Sequence, residues 1–237
     1  MSDIKQLISI IIPVFNESES IGFLLDEVIN VMSLHKFNFE LIVVNDGSKD
    51  NTQQVLKQLT LKIKELSVIS LRKNYGQTAA MSAGFDNSKG DIVITLDGDL
   101  QNDPNDIPIL ISEINNGYDL ICGWRFDRKD KLINRKIPSK IANKLIARVT
   151  GLKLHDYGCS LKAFKKEIID DIKLYGELHR FLPVLANIEG ARIKEIKVNH
   201  RSRQYGSSKY GIDRTFRVLM DLLTVWFMTK FLTRPMY

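Results

Sequence analysis

What most constrains this chain is the alternation of strand-like and helix-like runs through its first half. Ile8 to Val14 is a β-rich apolar run, and Glu19 to Met32 follows with apolar residues at Ile21, Leu24, Leu25, Val28 and Val31, the spacing of one helix face. Glu40 to Val44 reads as a second strand, and Asp50 to Glu65 as a helix whose start is marked by Ser48, Asp50 and Asn51. Leu66 to Leu71 is the third strand, Gly76 to Phe85 a third helix, and Asp91 to Leu96 a fourth strand. Short apolar strands of this kind need cover on both faces, and the helices between them supply it. The βαβαβαβ rhythm therefore predicts an α/β fold with a Rossmann-like, doubly wound, mainly parallel sheet. After Pro104 the rhythm loosens. Ile107 to Ile114 and Pro138 to Val149 read as helices, and Tyr118 to Cys122, Cys159 to Phe164 and Ala191 to Val198 as strands.

At 237 residues, with 44% hydrophobic and 26% charged residues, the chain has the composition of an ordinary globular protein with a sizeable core. Its two cysteines, Cys122 and Cys159, form neither a disulfide framework nor a metal-ligand spacing, which points to a reducing compartment. No run reaches the roughly 20 apolar residues of a spanning helix, and the N-terminus lacks the layout of a signal peptide. The charge is unevenly spread. From Arg201 onward there are seven basic residues against Asp213 and Asp221, a net +5 of the total +6. A basic terminal segment suits an anionic lipid surface or nucleic acid. In the same segment Phe216, Leu219, Met220, Leu223, Phe227 and Phe231 share one helical face. With Trp226 and the flanking Lys230 and Arg234, that face fits a helix lying at a membrane interface, or equally one packed on the core.

The chemistry gathers where the strands end. The first ends in Pro13-Val14-Phe15-Asn16-Glu17, the second in Asn45-Asp46-Gly47-Ser48, the third in Arg72-Lys73-Asn74 and the fourth in Asp97-Gly98-Asp99. Open α/β sheets bind ligands beyond the carboxyl ends of their strands, so these four polar ends converge on one crevice. Each alone is an ordinary turn or cap. Together, their carboxylates and amides can grip a base and ribose, while Arg72 or Lys73 can meet phosphate. Asp97 and Asp99, one residue apart, can close on a single hard cation if the chain turns at Gly98; Mg²⁺ or Mn²⁺ held so keeps positions open for phosphate oxygens. There is no G-x-G-x-x-G after the first strand and no G-x-x-x-x-G-K-S/T anywhere. Without a glycine cradle, a carboxylate-held cation has to neutralise most of a diphosphate, which fits a nucleoside diphosphate leaving group.

The motifs PVFNE at Pro13, NDGSKDNT at Asn45, RKNYGQTAA at Arg72 and LDGDLQNDP at Leu96 resemble the inverting family 2 glycosyltransferases of the GT-A fold. GWR at Gly123, DYGCSLKAF at Asp156, GELHRFLP at Gly176 and HRSRQYGSSKYG at His200 narrow the resemblance to the dolichol- and polyprenyl-phosphate glycosyltransferase branch, typified by dolichol-phosphate mannose synthase. The resemblance spans nearly the whole chain and is silent on the sugar. It implies a GT-A catalytic domain over residues 1–211, and over 212–237 an amphipathic interface helix that leads toward further transmembrane helices. It places Pro13, Phe15, Asn16, Glu17, Asp46, Asn74 and Asp97 at the nucleotide, and Asp97, Asp99 and Gln101 at the metal and diphosphate. Arg125, Arg135 and Ser139 fall near the acceptor or transferred phosphate. Arg201, Arg203 and Lys209 form a basic loop that closes over the donor diphosphate; their three charges beside Gly206, Ser207 and Ser208 also suit an anion clamp on residue type alone.

Asp156 takes the place of the family's catalytic base. A lipid monophosphate with a second pKa near ~6 is already largely a dianion at neutral pH. Asp156 can then orient the acceptor or take a residual proton instead, or simply cap the turn at Tyr157-Gly158. The resemblance thus implies transfer of one sugar from a nucleotide sugar, UDP favoured over GDP, to an undecaprenyl-type phosphate with inversion, at the cytoplasmic face of the cell membrane. The Q-x-x-R-W signature of processive synthases is absent, which fits single transfer. The partners are the donor, the lipid acceptor and an anionic membrane surface, with no nucleic acid; a homo-oligomer stays open. GDP-mannose-dependent transfer is the first alternative. A sugar-nucleotide pyrophosphorylase is disfavoured by PVFNE, which stands where its Gly-rich loop would be. A non-catalytic membrane- or nucleic-acid-binding module is disfavoured by the acidic strand ends, which repel phosphate unless a cation intervenes.

Overall fold

Seven strands form one sheet in the order β3-β2-β1-β4-β6-β5-β7 in a computed structural model that describes residues 6–127, 145–205 and 213–231. The first half follows the expected alternation: β1 (Leu7–Val14), α1 (Ile21–Leu34), β2 (Asn38–Asn45), α2 (Thr52–Thr60), β3 (Leu66–Ser70), α3 (Gln77–Asn87) and β4 (Ile92–Thr95). β1 lies at the centre, parallel to β2 on one side and β4 on the other, with Ile10 opposite both Leu41 and Ile94. Side chains alternate across the sheet as the strand period demands. Ile8, Ile10, Ile12, Leu41 and Val43 face α1, α2 and later α4, whereas Ile11, Ile42 and Val44 face α3. Helices on both faces make the sheet doubly wound, and every residue of β4 is buried.

Local differences from the sequence reading have identifiable causes. α2 ends at Thr60 and not near Glu65, because the Glu65 carbonyl is drawn to the sheet, where it accepts from the Leu41 amide. The second half contributes α4 (Ile107–Asn115) behind a 3₁₀ turn at Pro104–Asp106, then β5 (Leu120–Arg125), β6 (Lys162–Lys165), α5 (Lys166–Asp171), a 3₁₀ turn at Leu178–Phe181, α6 (Leu182–Ile188), β7 (Ile193–Val198) and α7 (Asp213–Phe231). Residues 145–150 are also helical; the start of the helix expected from Pro138 lies outside the described residues. The strand expected from Cys159 begins only at Lys162, because the Thr95 hydroxyl takes the Ser160 carbonyl and the preceding residues leave the ladder.

β6 runs antiparallel to both its neighbours, β4 and β5, while all other pairings are parallel. The chain therefore enters β6 at the sheet edge where β4 and β5 end. A third apolar cluster joins Ile146, Tyr157, Phe181, Val184 and Leu185 to Leu222 and Val225 of α7. The side of α7 that packs inward is thus the one carrying Leu222 and Val225. Met220, Leu223 and Phe227, from the face picked out by spacing, are exposed together with Trp226.

Candidate active site

The four polar strand ends lie side by side because β1 to β4 are parallel. Asn16 takes φ of 53°, a left-handed conformation that Asn tolerates better than most residues. Its amide donates to Ser48 Oγ at 2.9 Å, and its own Oδ1 accepts from the Lys49 amide at 2.8 Å. The Glu17 amide donates to Thr52 Oγ1, so the loop after β1 is laced to the loop after β2. Asp46 is buried, and its two oxygens accept the Tyr75 and Gly76 amides at 2.7 and 2.9 Å. Burial raises its carboxyl above the usual range, in part offset by those amides. Asp46 thereby fixes the turn into α3. Asn74 stands exposed beside that turn, and Pro13 and Phe15 are half-buried at the end of β1.

Gly98 sets the position of the acidic pair. A Cβ there would lie 2.7 Å from Val14 Cγ1, so only glycine lets the loop after β4 press against the end of β1. Ser20 Oγ holds that loop, sharing its one hydrogen between the Gly98 carbonyl and Glu17 Oε2, each 2.8 Å away. Asp97 Oδ1 accepts from Gln77 Nε2 at 2.8 Å. Asp99 is buried; its Oδ1 accepts the Gln101 amide and its Oδ2 meets Arg203 Nη2 at 2.5 Å. Burial pushes the Asp99 carboxyl up to about 6, the Asp97 charge adds to this, and Arg203 opposes it. Two close carboxylates with a guanidinium pressed on one of them form a site that demands positive charge. Asp97, Asp99 and the Gln101 amide oxygen are hard donors of the kind Mg²⁺ and Mn²⁺ take. Among the described residues no three His, Cys, Asp or Glu side chains gather into a cage. Two carboxylates and one amide oxygen fill only part of the about six positions such cations take, so a cation here would keep positions open for substrate oxygens.

Across β4 and β6 lies a second charged pair. Arg125, at the end of β5, grips Asp156 bidentately, Nε to Oδ2 at 2.7 Å and Nη2 to Oδ1 at 2.9 Å. Asp156 Oδ1 also accepts the Gly158 amide, so the carboxylate both caps its turn and anchors the arginine. The Asp156 contacts hold the Arg125 guanidinium above its ordinary value against the opposing effect of burial, and the Asp97 charge adds to this, which ties the pair electrostatically to the acidic loop. The two loops are clipped together at Ser160. Its hydroxyl donates to Asn102 Oδ1 at 2.8 Å, and its carbonyl accepts from Thr95 Oγ1 at 2.6 Å.

Among the basic residues expected near the donor, Arg203 reaches the acidic pair. Arg201 does not: its guanidinium bridges Glu27 and Asp103, both at 2.7 Å. Arg135, Ser139 and Lys209 lie outside the described residues. Two residues passed over in the sequence reading also shape the site. Lys162 is buried, and its ammonium donates to the carbonyls of Tyr157 and Cys159, just after Asp156. Glu195 of β7 accepts the amides of His155 and Asp156. A lysine between Leu161 and Ala163 in the run expected to form a strand was the available signal for Lys162; the alternating charges of β7 hid Glu195.

Residues 9–173 match the family described as Glycosyl transferase family 2. The chain belongs to glycosyl transferase family 2. Its sheet is that of a GT-A glycosyltransferase. Among curated relatives of this family, it is 49% identical over 232 residues to dodecaprenyl-phosphate galacturonate synthase of Rhizobium johnstonii, covering 96% of this chain and 69% of the relative. It is 41% identical over 218 residues to undecaprenyl-phosphate 4-deoxy-4-formamido-L-arabinose transferase of Proteus mirabilis, covering 92% and 67%. Among solved structures, glucosyl-3-phosphoglycerate synthase of Mycobacterium tuberculosis superposes with a TM-score of 0.70 at 18% identity, over 98% of this chain and 87% of that one. Its complex with Mn²⁺, UDP and phosphoglyceric acid gives 0.71 at 17% identity, over 94% and 78%. At such identities the likeness is one of fold.

Proposed function

We propose that this glycosyltransferase moves one sugar from a nucleoside diphosphate sugar, UDP favoured, to a polyprenyl monophosphate at the cytoplasmic face of the membrane. The observation that carries the reading is the placing of two opposed charged sites on one sheet edge. Asp97 and Asp99 make an acidic donor side, and across β6 the guanidinium of Arg125, held by Asp156, faces the acceptor side and feels the Asp97 charge. The names of the Rhizobium and Proteus relatives, both transferases or synthases acting on a polyprenyl phosphate, support the acceptor class.

In this reading Asp97, Asp99 and Gln101 hold a divalent cation, which when bound neutralises the donor diphosphate and eases departure of its oxygen. Glu17, Asn16, Phe15, Pro13, Asp46 and Asn74 border the nucleoside, with Asp46 acting through the Tyr75–Gly76 turn. Arg203 leaves Asp99 for the diphosphate, while Arg201 anchors the base of its loop on Glu27 and Asp103. Arg125 meets the acceptor phosphate and offsets its repulsion from the donor. Asp156, with both oxygens committed to Arg125 and the turn, orients that guanidinium and need not act as a base, since the acceptor is already largely a dianion. One acceptor oxygen attacks the anomeric carbon, the bond from that carbon to the diphosphate oxygen breaks, and UDP leaves from the opposite face with inversion. The exposed Met220, Leu223, Trp226 and Phe227 of α7 rest in the headgroup region. Among the described residues no helix is long and apolar enough to cross a membrane.

The test is an assay of the chain on vesicles containing undecaprenyl phosphate, with Mn²⁺ and a panel of UDP- and GDP-sugars. A lipid-linked sugar of inverted anomeric configuration is expected from one UDP-sugar. Retention of configuration, or turnover that ignores the lipid phosphate, overturns the reading. Asp99→Ala is expected to abolish both turnover and metal-dependent UDP binding; full activity in that variant removes the metal assignment.

A further inference from the structure

Asp156 is held from two directions, and only one of them belongs to the charged pair described above. Arg125 grips its side chain from β5. Its backbone is held from β7, the neighbouring strand, by Glu195, which sits opposite Cys122 in the parallel register. The Glu195 side chain is only 10% exposed. Its Oε1 accepts the His155 and Asp156 amides, both at 2.9 Å. Its Oε2 accepts the His155 amide at 3.0 Å and lies 2.7 Å from His155 Nδ1. Among the described residues no lysine or arginine pairs with it, so its charge is met by the N–H groups of the turn that presents Asp156. The His155 ring is in turn braced by stacking on Trp124 at 4.0 Å, and Lys197 lies over the Trp124 ring.

We propose that Glu195 is a positioning residue for the transfer reaction, fixing the height of Asp156 above the sheet and, through it, the aim of Arg125. The proposal rests on the reading that the Arg125–Asp156 pair faces the acceptor. A bidentate pair between a strand and a turn defines the two groups relative to each other, and Lys162 and Ser160 hold the turn on the side that follows Asp156. The cradle on β7 holds it from the other side, at the His155 and Asp156 amides. Two consecutive amides and an imidazole need two acceptor oxygens. Glutamine supplies one, and would set its NH₂ against an N–H. The bonds to a carboxylate are also charge-assisted, and so stronger than those an amide can make.

The experiment compares the wild-type chain with Glu195→Gln and Glu195→Asp. In Glu195→Gln, kcat for sugar transfer should fall by about 10- to 100-fold, the loss expected of a misaimed reacting group. The affinity for UDP with Mn²⁺, read by calorimetry, should stay within about twofold, because the donor side is untouched. Glu195→Asp keeps both oxygens and should recover part of kcat. Hydrogen exchange at the His155 and Asp156 amides, read without substrate, should quicken by about tenfold in Glu195→Gln while the β5 amides keep their protection. An unchanged kcat per folded enzyme, or a loss of UDP affinity in step with kcat, overturns the positioning role. A wild-type chain that transfers no sugar overturns the functional reading instead. The exchange measurement then still decides whether Glu195 holds the turn, and unchanged exchange rejects it.

Discussion

Arg203 occupies the place on Asp99 that a metal ion would claim. Its guanidinium lies against a buried carboxylate that already has Asp97 for a neighbour. Removing one partner from such a pair leaves uncompensated negative charge. Arg203→Ala is accordingly expected to bind Mn²⁺ alone about tenfold more tightly, equivalent to about 1.4 kcal/mol, and to lose part of the gain in Mn²⁺ affinity that UDP confers. Titration calorimetry with and without UDP checks both, and an unchanged affinity for Mn²⁺ alone contradicts the arrangement. At this scale the sequence was partly legible. The residue types at Asp97, Gly98 and Asp99 announced an acidic pair on a tight turn, because both follow from a few adjacent residues. The pairing of Arg125 with Asp156 and of Arg203 with Asp99 was not legible, since each joins segments that only the fold brings together.

Among the elements, β1 to β4 were readable because a strand buried on both faces must be an apolar run and a strand's end must turn polar. α5, α6 and the 3₁₀ turn at Leu178–Phe181 were not, being too short to display a helical period; Pro183 in the first turn of α6 was the one local cue. The junction between α4 and β5 shows how such elements are pinned. Burial raises the carboxyl of Asp119 at this junction, but Lys165 at 2.6 Å and the Arg192 amide at 2.8 Å outweigh it and hold the group down to about 2. A carboxyl depressed on folding stabilises above its unfolded value, and that contribution disappears as pH falls toward its folded one. The difference corresponds to about 2 kcal/mol. Urea unfolding of wild type and Asp119→Asn should therefore differ by about that much at pH 7, converging between pH 4 and 2. A gap that persists at the acid end would show that the contribution is not electrostatic.

At the scale of the whole molecule, α7 has two apolar sides, one packed and one exposed. Leu222 and Val225 are buried against the third cluster, while Met220, Leu223, Trp226 and Phe227 face outward. Helical spacing alone had left core packing and membrane contact as equal readings of one face; packing turns Leu222 and Val225 inward and leaves Met220, Leu223 and Phe227 of that face exposed. Trp226→Ser combined with Phe227→Ser should weaken co-sedimentation with anionic vesicles at least about tenfold, in proportion to the apolar area lost. Its unfolding temperature and its affinity for UDP with Mn²⁺ should be retained. Val225→Asp should do the reverse, lowering the unfolding temperature through a charge buried in the core. Equal vesicle binding by the Trp226/Phe227 variant and wild type would remove α7 from the membrane contact.

The reversed direction of β6 has a consequence for how such an enzyme diversifies. Everything between the end of β5 and the start of β6 leaves the sheet and rejoins it at one rim, in one unbroken stretch of chain, 126–161. That stretch carries Asp156 and the turn that Glu195 cradles, and none of its described residues belongs to a strand of the sheet. Exchanging it for its counterpart from a relative, with the junctions at Arg125 and Lys162 and the packing of Ile146 and Tyr157 kept, is the expected route to a new acceptor. The partner that accepts the sugar could then change while the machinery that delivers it stays in place.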